Sequence, residues 1–251
     1  MNLLVLPASE RLRLSHLNPL TTDPMWDAVT FLLDLEDTVV GNVTAANFVK
    51  DRRHNHPITQ FLAAGMPAIV QDPVRGKVLQ FPANNNSRFV VDNQSNGHGL
   101  DGGTGNFTLD FWVKGKVPAP GASIIASADA PFTYMAFKDS ASDSGGRCEF
   151  YLSLDGAWRS LMTPTIIYDD AGTTWHHVAT VYDRTNNQIR LYVDGVLSAT
   201  ISDHLNQRYI SIPSLTIGRY NDYVKSRSID KLRLTNAVRF NATFNVNELV
   251  Y

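Results

Sequence analysis

Hydrolysis of a glycosidic bond needs two carboxyl groups, and alternate positions on a strand would put such a pair on one face. The chain has only four glutamates, Glu10, Glu36, Glu149 and Glu248, and none stands in a Glu-x-Asp-x-Glu array. The nearest approach is Asp34-Leu-Glu36, which reads as a solvated strand terminus. His54-Asn-His56 can share a face, but no third ligand follows at zinc spacing. His176 and His177 point to opposite sides of a strand and cannot chelate together. His177 reads as a hydrogen-bonded core histidine. Asp92, Asn93, Asp101 and Asn106 carry oxygens that suit calcium, without the spacing of an EF-hand loop. Gly-x-Ser-x-Gly, His-Glu-x-x-His and P-loop signatures do not occur. The expectation is a protein without catalytic residues, a protein metal centre or a resident cofactor, calcium being the one ion with suitable oxygens.

Aromatic side chains offer a different chemistry, stacking on sugars or on a protein partner. In "EFYLSLDGAWRSLM" (149–162) Asp155-Gly156 reads as a two-residue hairpin turn. The register then sets Leu154 opposite Ala157, Ser153 opposite Trp158 and Phe150 opposite Leu161. Phe150, Leu152 and Leu154 fall on the core side, and Trp158 falls on the other side with Glu149, Tyr151 and Ser153. Tyr151 and Trp158, with the loop aromatics Tyr220 and Tyr223 of "RYNDY", are the candidates for glycan or partner contact.

Such side chains need a sheet to hold them, and the chain is written in strands. From Trp26 onward, short runs rich in Val, Ile, Phe, Tyr and Thr alternate with Gly, Asn, Asp and Pro clusters. "TWHHVATVYDRTNNQIRLYVDG" (174–195) holds a strand over Trp175–Tyr182 that is apolar on both faces. A polar turn follows, then an alternating strand that stops at the hairpin signal Asp194-Gly195. Trp112 and Trp175 both read as buried in central strands. "PITQFLAAGMP" (57–67) has room for one or two helical turns. The expected fold class is all-β, a two-sheet antiparallel jelly-roll sandwich.

Composition narrows the partners. The 251 residues carry a formal net charge of −2, with no basic run longer than Arg52-Arg53, so nucleic acid is not an expected partner. No apolar run approaches the roughly 20 residues of a membrane span, and the N-terminus lacks the basic start and long apolar stretch of a secretory signal. Cys148 is the only cysteine, which rules out a disulfide framework within the chain. The sequons at Asn42, Asn93, Asn106 and Asn241 read as turn asparagines.

The Trp-His-His-Val-Ala run and the strand closing on Tyr-Val-Asp-Gly resemble the signature of the concanavalin A-like lectin/glucanase family of laminin-G-like jelly rolls. "GTGNFTLDFWVK" (103–114), "LTIGRY" and "SIDKLRLTNAVRF" resemble further strands of that family, in order, over roughly residues 26–246. The tail from Ile229 to Phe244 is similar to the version common in tailed-bacteriophage virion proteins. The resemblance implies a lectin-like jelly roll in a virion. The expected role is non-enzymatic, a capsid decoration or head-surface protein. A carbohydrate-binding tail adhesin is the alternative and a glycan hydrolase a third. The implied partners are other virion proteins, copies of the same chain in a homo-oligomer, and a host surface glycan.

Residues 1–25 and 50–66 have no clear counterpart in the family. In the first of these, Leu3, Leu4, Val5, Leu6, Leu12, Leu14, Leu17 and Leu20 are too apolar for a free tail, and Pro7, Pro19 and Pro24 forbid a continuous helix. It reads as an extended assembly arm in front of a jelly-roll domain spanning 26–251.

Overall fold

A computed structural model describes residues 23–43, 51–61, 67–82, 88–93, 100, 105–116, 123–129, 133–139, 146–154, 157–164, 167–169, 171–202, 212, 214–218, 227–249 and 251. The arm leucines Leu3, Leu4, Leu6, Leu12, Leu14 and Leu17 lie outside these residues, as do Asp101, the Asp155-Gly156 turn, Tyr220 and Tyr223.

Sixteen strands are described: β1 (Val29–Leu33), β2 (Gly41–Asn42), β3 (Ile58–Phe61), β4 (Ala68–Asp72), β5 (Gly76–Phe81), β6 (Arg88–Asp92), β7 (Phe107–Gly115), β8 (Ser123–Asp129), β9 (Thr133–Asp139), β10 (Cys148–Leu154), β11 (Ala157–Met162), β12 (His176–Asp183), β13 (Gln188–Val193), β14 (Val196–Ser202), β15 (Ser214–Gly218) and β16 (Arg227–Thr235). They form two antiparallel sheets. The first runs β14-β13-β12-β7-β16-β5-β4-β2, with β1 also paired to β16. The second runs β11-β10-β9-β8-β15-β6-β3. The described helical residues are short 3-10 turns at Trp26–Ala28 and Val246–Glu248. The jelly-roll sandwich expected from strand alternation is what forms.

The core lies between the sheets. Leu109, Phe111, Val178, Tyr182, Leu191, Ile229 and Leu234 of the first sheet meet Phe89, Val91, Phe150, Leu161, Leu215 and Ile217 of the second. The alternation that points these residues inward sends Asp110, Trp112, His177, Ala179, Val181, Tyr192, Asp230 and Arg233 to the outer face of the first sheet. That face is also buried. Residues 236–249 run across it, and Val238, Phe240, Phe244 and Leu249 pack on Ala179, Val181 and Tyr192. The double-faced burial read from the β12 sequence is therefore real, and its second layer is the chain's own C-terminal strap.

Turn chemistry fixes the hairpins. Asp194 and Gly195 both have positive φ, 49° and 79°, the requirement of a type I′ turn. A Cβ on Gly195 would lie 2.0 Å from the Phe244 carbonyl oxygen, so this glycine also lets the strap approach. Asn187 takes φ 57° in the β12–β13 turn. In β10–β11, Leu154 pairs with Ala157, Ser153 with Trp158 and Phe150 with Leu161, the register expected from the sequence.

Three expectations are corrected. Part of the 57–67 stretch forms β3, which pairs with β6 rather than coiling; Ile58 there packs against the core. Residues 62–66 lie outside the described part. β12 begins at His176, one residue after Trp175. Trp112 is buried at 7 % exposure, but Trp175 is only half-buried, because it stands at the sheet's end, where its Nε1 donates to Asp72 Oδ1 at 3.1 Å.

Candidate functional site

Two surfaces come into question, the outer face of the second sheet and the polar layer under the strap. On the second sheet the β10–β11 register places Tyr151 opposite Ser160 and, on the other side, opposite Ala136 of β9. Tyr151 is half-buried, and Ser160 beside it is exposed. Trp158 takes its expected place opposite Ser153, while its side chain lies outside the described part. Glu149, read as part of this polar face, is buried at 5 % exposure. The structure thus joins the Tyr151 and Trp158 positions on one hairpin, two residue pairs apart.

The carboxylates are engaged within the domain. Asp34 is 7 % exposed rather than solvated, and bonds to Arg52 and Lys231. Glu36 lies 3.8 Å from the same lysine. Burial works to raise the Asp34 carboxyl, but Lys231 and Arg52 outweigh it and hold it below the usual range. Asp51 knots residues 51–56 of the poorly matched 50–66 segment. Its oxygens accept from the backbone N–H of Leu32, Arg53, His54 and His56 at 2.9–3.2 Å, and lie 2.7 Å from His56 Nδ1. His56 is thereby committed to Asp51, and its ring meets His54 only edge-on, at 6.1 Å.

Two of the four calcium-type residues, Asn93 and Asn106, use their oxygens within the fold. Asn106 Oδ1 accepts from Arg184 N at 2.8 Å, and Asn93 Oδ1 accepts from Leu100 N. No group of three or more His, Cys, Asp or Glu is placed to hold a metal among the described residues.

Under the strap lies a polar layer that sequence reasoning missed. Asp110 of β7 and Arg233 of β16 are both 0 % exposed and form a two-armed pair at 3.0 and 2.9 Å. Arg233 also reaches Asp23 at 3.3 Å, and Arg239 grips both Asp23 oxygens at 2.9 and 3.0 Å. Tyr251 lies over the Arg233 guanidinium at 4.2 Å and donates to Asp110 at 3.3 Å. Burial pushes the Asp110 carboxyl up, yet Arg233 and His177 overcome this and hold it far below the ordinary value. His177 Nε2 lies 3.3 Å from Asp110 Oδ2, and burial lowers the ring's pKa despite that contact. An ionised Asp110 only accepts, so the neutral ring carries its proton on Nε2. Its Nδ1 has no partner among the described residues. His177 is thus the core histidine that the sequence suggested.

Asp230 neighbours Trp112 across the β16–β7 ladder. Its Oδ2 accepts from Arg75 Nε at 3.0 Å, and Arg75 lies 4.0 Å over the Trp112 ring. Burial outweighs Lys231 and Arg75 here and pushes the Asp230 carboxyl up to about 6. That is the range of a general acid at neutral pH. Asp230 is, however, 0 % exposed, and Arg75 lies against it.

The model described as the concanavalin A-like lectin/glucanases superfamily matches residues 84–242, more than half of the chain. Among solved structures, the botulinum neurotoxin serotype D binding domain superposes with a TM-score of 0.65 at 12 % identity, covering 90 % of this chain and 52 % of that one. The serotype G binding domain gives 0.63 at 16 % identity, covering 86 % and 49 %. The binding domain of Paraclostridial Mosquitocidal Protein 1 gives 0.64 at 13 %, covering 85 % and 50 %. The chain spans about half the length of these structures, and at such identities the likeness is one of fold. No curated protein matches the chain.

Proposed function

Since the chain belongs to the concanavalin A-like lectin/glucanases superfamily, we propose that it serves as a non-enzymatic, lectin-like structural domain of a bacteriophage virion, a head-surface decoration protein attached through residues 1–25. The carrying observation is the use to which the acids are put. Asp34, Asp51, Asp72, Asp110 and Asp230 are each bonded to a cation, to backbone N–H groups or to both, and Asp230, the acid among the described residues that burial raises into a general-acid pKa range, is shut off from solvent. Glycosidase chemistry needs an acid and a second carboxylate flanking an accessible substrate. The virion part of the reading rests on the resemblance of Ile229–Phe244 to phage virion proteins. In the structure this stretch supplies most of β16 and the start of the strap, including Arg233 and Arg239.

A second reading, a tail adhesin that binds a host glycan, is favoured by Tyr151, half-buried on the outer face of the second sheet beside the Trp158 position. Among the solved domains of similar fold, one is in complex with rat synaptotagmin II and another with SialylT. Immunogold labelling of purified particles tests both readings. Label over the head supports decoration, and label at the tail tip supports the adhesin. Particles that lack the protein overturn both.

A further inference from the structure

β14 is a sheet edge whose composition invites another strand. Among the described residues it pairs with β13 alone. Its sequence, Val-Leu-Ser-Ala-Thr-Ile-Ser, has none of the lysines, acids or prolines that usually guard an edge. Val196 and Leu197 are 56 % and 45 % exposed. The ladder places Val196 opposite Val193, Ala199 opposite Leu191 and Ile201 opposite Ile189, all three partners being core residues. Val196, Ala199 and Ile201 therefore share one side of the edge, where Ala199 and Ile201 pack against the core and Val196 is exposed. The register shift between Leu191 and Tyr192 makes Ser198 a bulge and leaves Ala199–Ser202 as an unbroken run of edge.

We propose that this edge receives the arm of a second copy of the chain, with Leu3–Leu6 adding as a strand beside β14. The inference rests on the reading of residues 1–25 as an assembly arm and names the surface it meets. Leu3-Leu4-Val5-Leu6 is an uncharged, four-residue apolar run, long enough to lie along Ala199–Ser202, and Pro7 ends it. On addition, alternate arm residues extend the row of Ala199 and Ile201, and their neighbours lie beside Thr200 and Ser202. Asp23, where the described part begins, is fixed by Arg233 and Arg239. From there Leu6 reaches up to roughly 55 Å at full extension. The chain's own β14 lies four strands from β16, roughly 19 Å away across the sheet. The direct way there is filled by the strap, which packs on Tyr192 and bonds Phe244 N to Gly195 O at 3.0 Å. The same arm from a neighbouring copy does not have to pass the strap.

Cysteine pairs in the full-length chain test this. One population carries Leu4→Cys or Val5→Cys, so that both faces of an added strand are sampled; the other carries Thr200→Cys on the exposed side of β14. The native Cys148 is buried and does not compete. Mixed under mild oxidation, the two populations should give a disulfide-linked pair at least tenfold above a control mixture with Val74→Cys, which is exposed on the β4–β5 turn. Absence of that excess overturns the inference, as does a link formed only within a double variant at high dilution, which would mean that the arm lies on its own edge. The underlying arm reading is tested separately with the full-length Leu3→Asp/Leu6→Asp variant. If it still joins particles, the arm reading fails. If it no longer joins them and the cysteines do not link, the arm stands and only its docking surface is wrong.

Discussion

The Asp110–Arg233 pair shows what a single charge can do in this protein. Both groups are fully buried, so truncating either leaves the other in the interior with its longer 3.3 Å contacts, Asp23 for Arg233 and His177 and Tyr251 for Asp110. Arg233→Ala or Asp110→Ala should each cost about 3–5 kcal/mol, measured as a lowered urea midpoint at pH 7. Asp230 has the opposite electrostatic sense. Its folded pKa of about 6 lies above the unfolded value of about 3.9, so the folded state holds the proton more tightly. The stability it contributes is full below pH 4 and is lost as the pH rises through 6. His177, with its pKa lowered by burial, acts the other way, losing stability as the pH falls below its unfolded value of about 6.5. The Asp230 contribution is therefore read as a difference. Asp230→Asn should gain on the order of 2 kcal/mol over wild type at pH 7, and the gain should vanish near pH 4. A constant difference across that range would show that the carboxyl does not titrate there. None of this was legible in the sequence. Asp110 and Arg233 stand 123 positions apart, and nothing in "TLDFWV" or "DKLRLT" says that these two charges face each other beneath a third layer.

At the scale of elements, local signals were legible and long-range ones were not. The Asp194-Gly195 turn and the pairing of Phe150 with Leu161 follow from period-two alternation and two-residue turn chemistry, both contained within about fourteen residues. β3 was misread because "PITQFLAAGMP" contains good helix formers, and pairing with β6 overrides that preference. Trp175 was misplaced because a strand's end is the least certain part of a pattern. The two tryptophans now separate. Trp112→Ala should cost about 3–5 kcal/mol; Trp175→Ala should cost clearly less, since half-burial leaves less surface to lose. Equal denaturant midpoints for the two variants would contradict the described difference in burial. Gly195→Ala should destabilise by more than 1 kcal/mol, because the added methyl needs the strap to move and the turn needs positive φ. Hydrogen exchange should then rise first in 236–249.

For the whole molecule, the family and the sandwich were legible because the Trp-His-His-Val-Ala run and its companion strands recur in order along the chain. The binding face was legible only as a hairpin register: the sequence put Tyr151 and Trp158 on one side, but it also put the buried Glu149 there. At this scale the expected chemical outcome is that purified protein releases no reducing ends from bacterial surface polysaccharide. Release that is abolished by Asp34→Asn or Glu36→Gln would return the hydrolase reading.

The position of β16 in the first sheet also sets a timetable. This strand is threaded between β7 and β5 and carries β1 as well, although it is the last of the described strands in chain order. While the chain is being made, the β14-β13-β12-β7 half and the β5-β4-β2 half have no ladder joining them until Arg227–Thr235 leaves the ribosome. Every partner of β16 has by then been waiting for a hundred residues or more, and loop-closure entropy makes such late pairing slow. Nascent chains halted before Arg227 should stay as protease-sensitive as unfolded protein, and resistance should appear in one step once the strap is out.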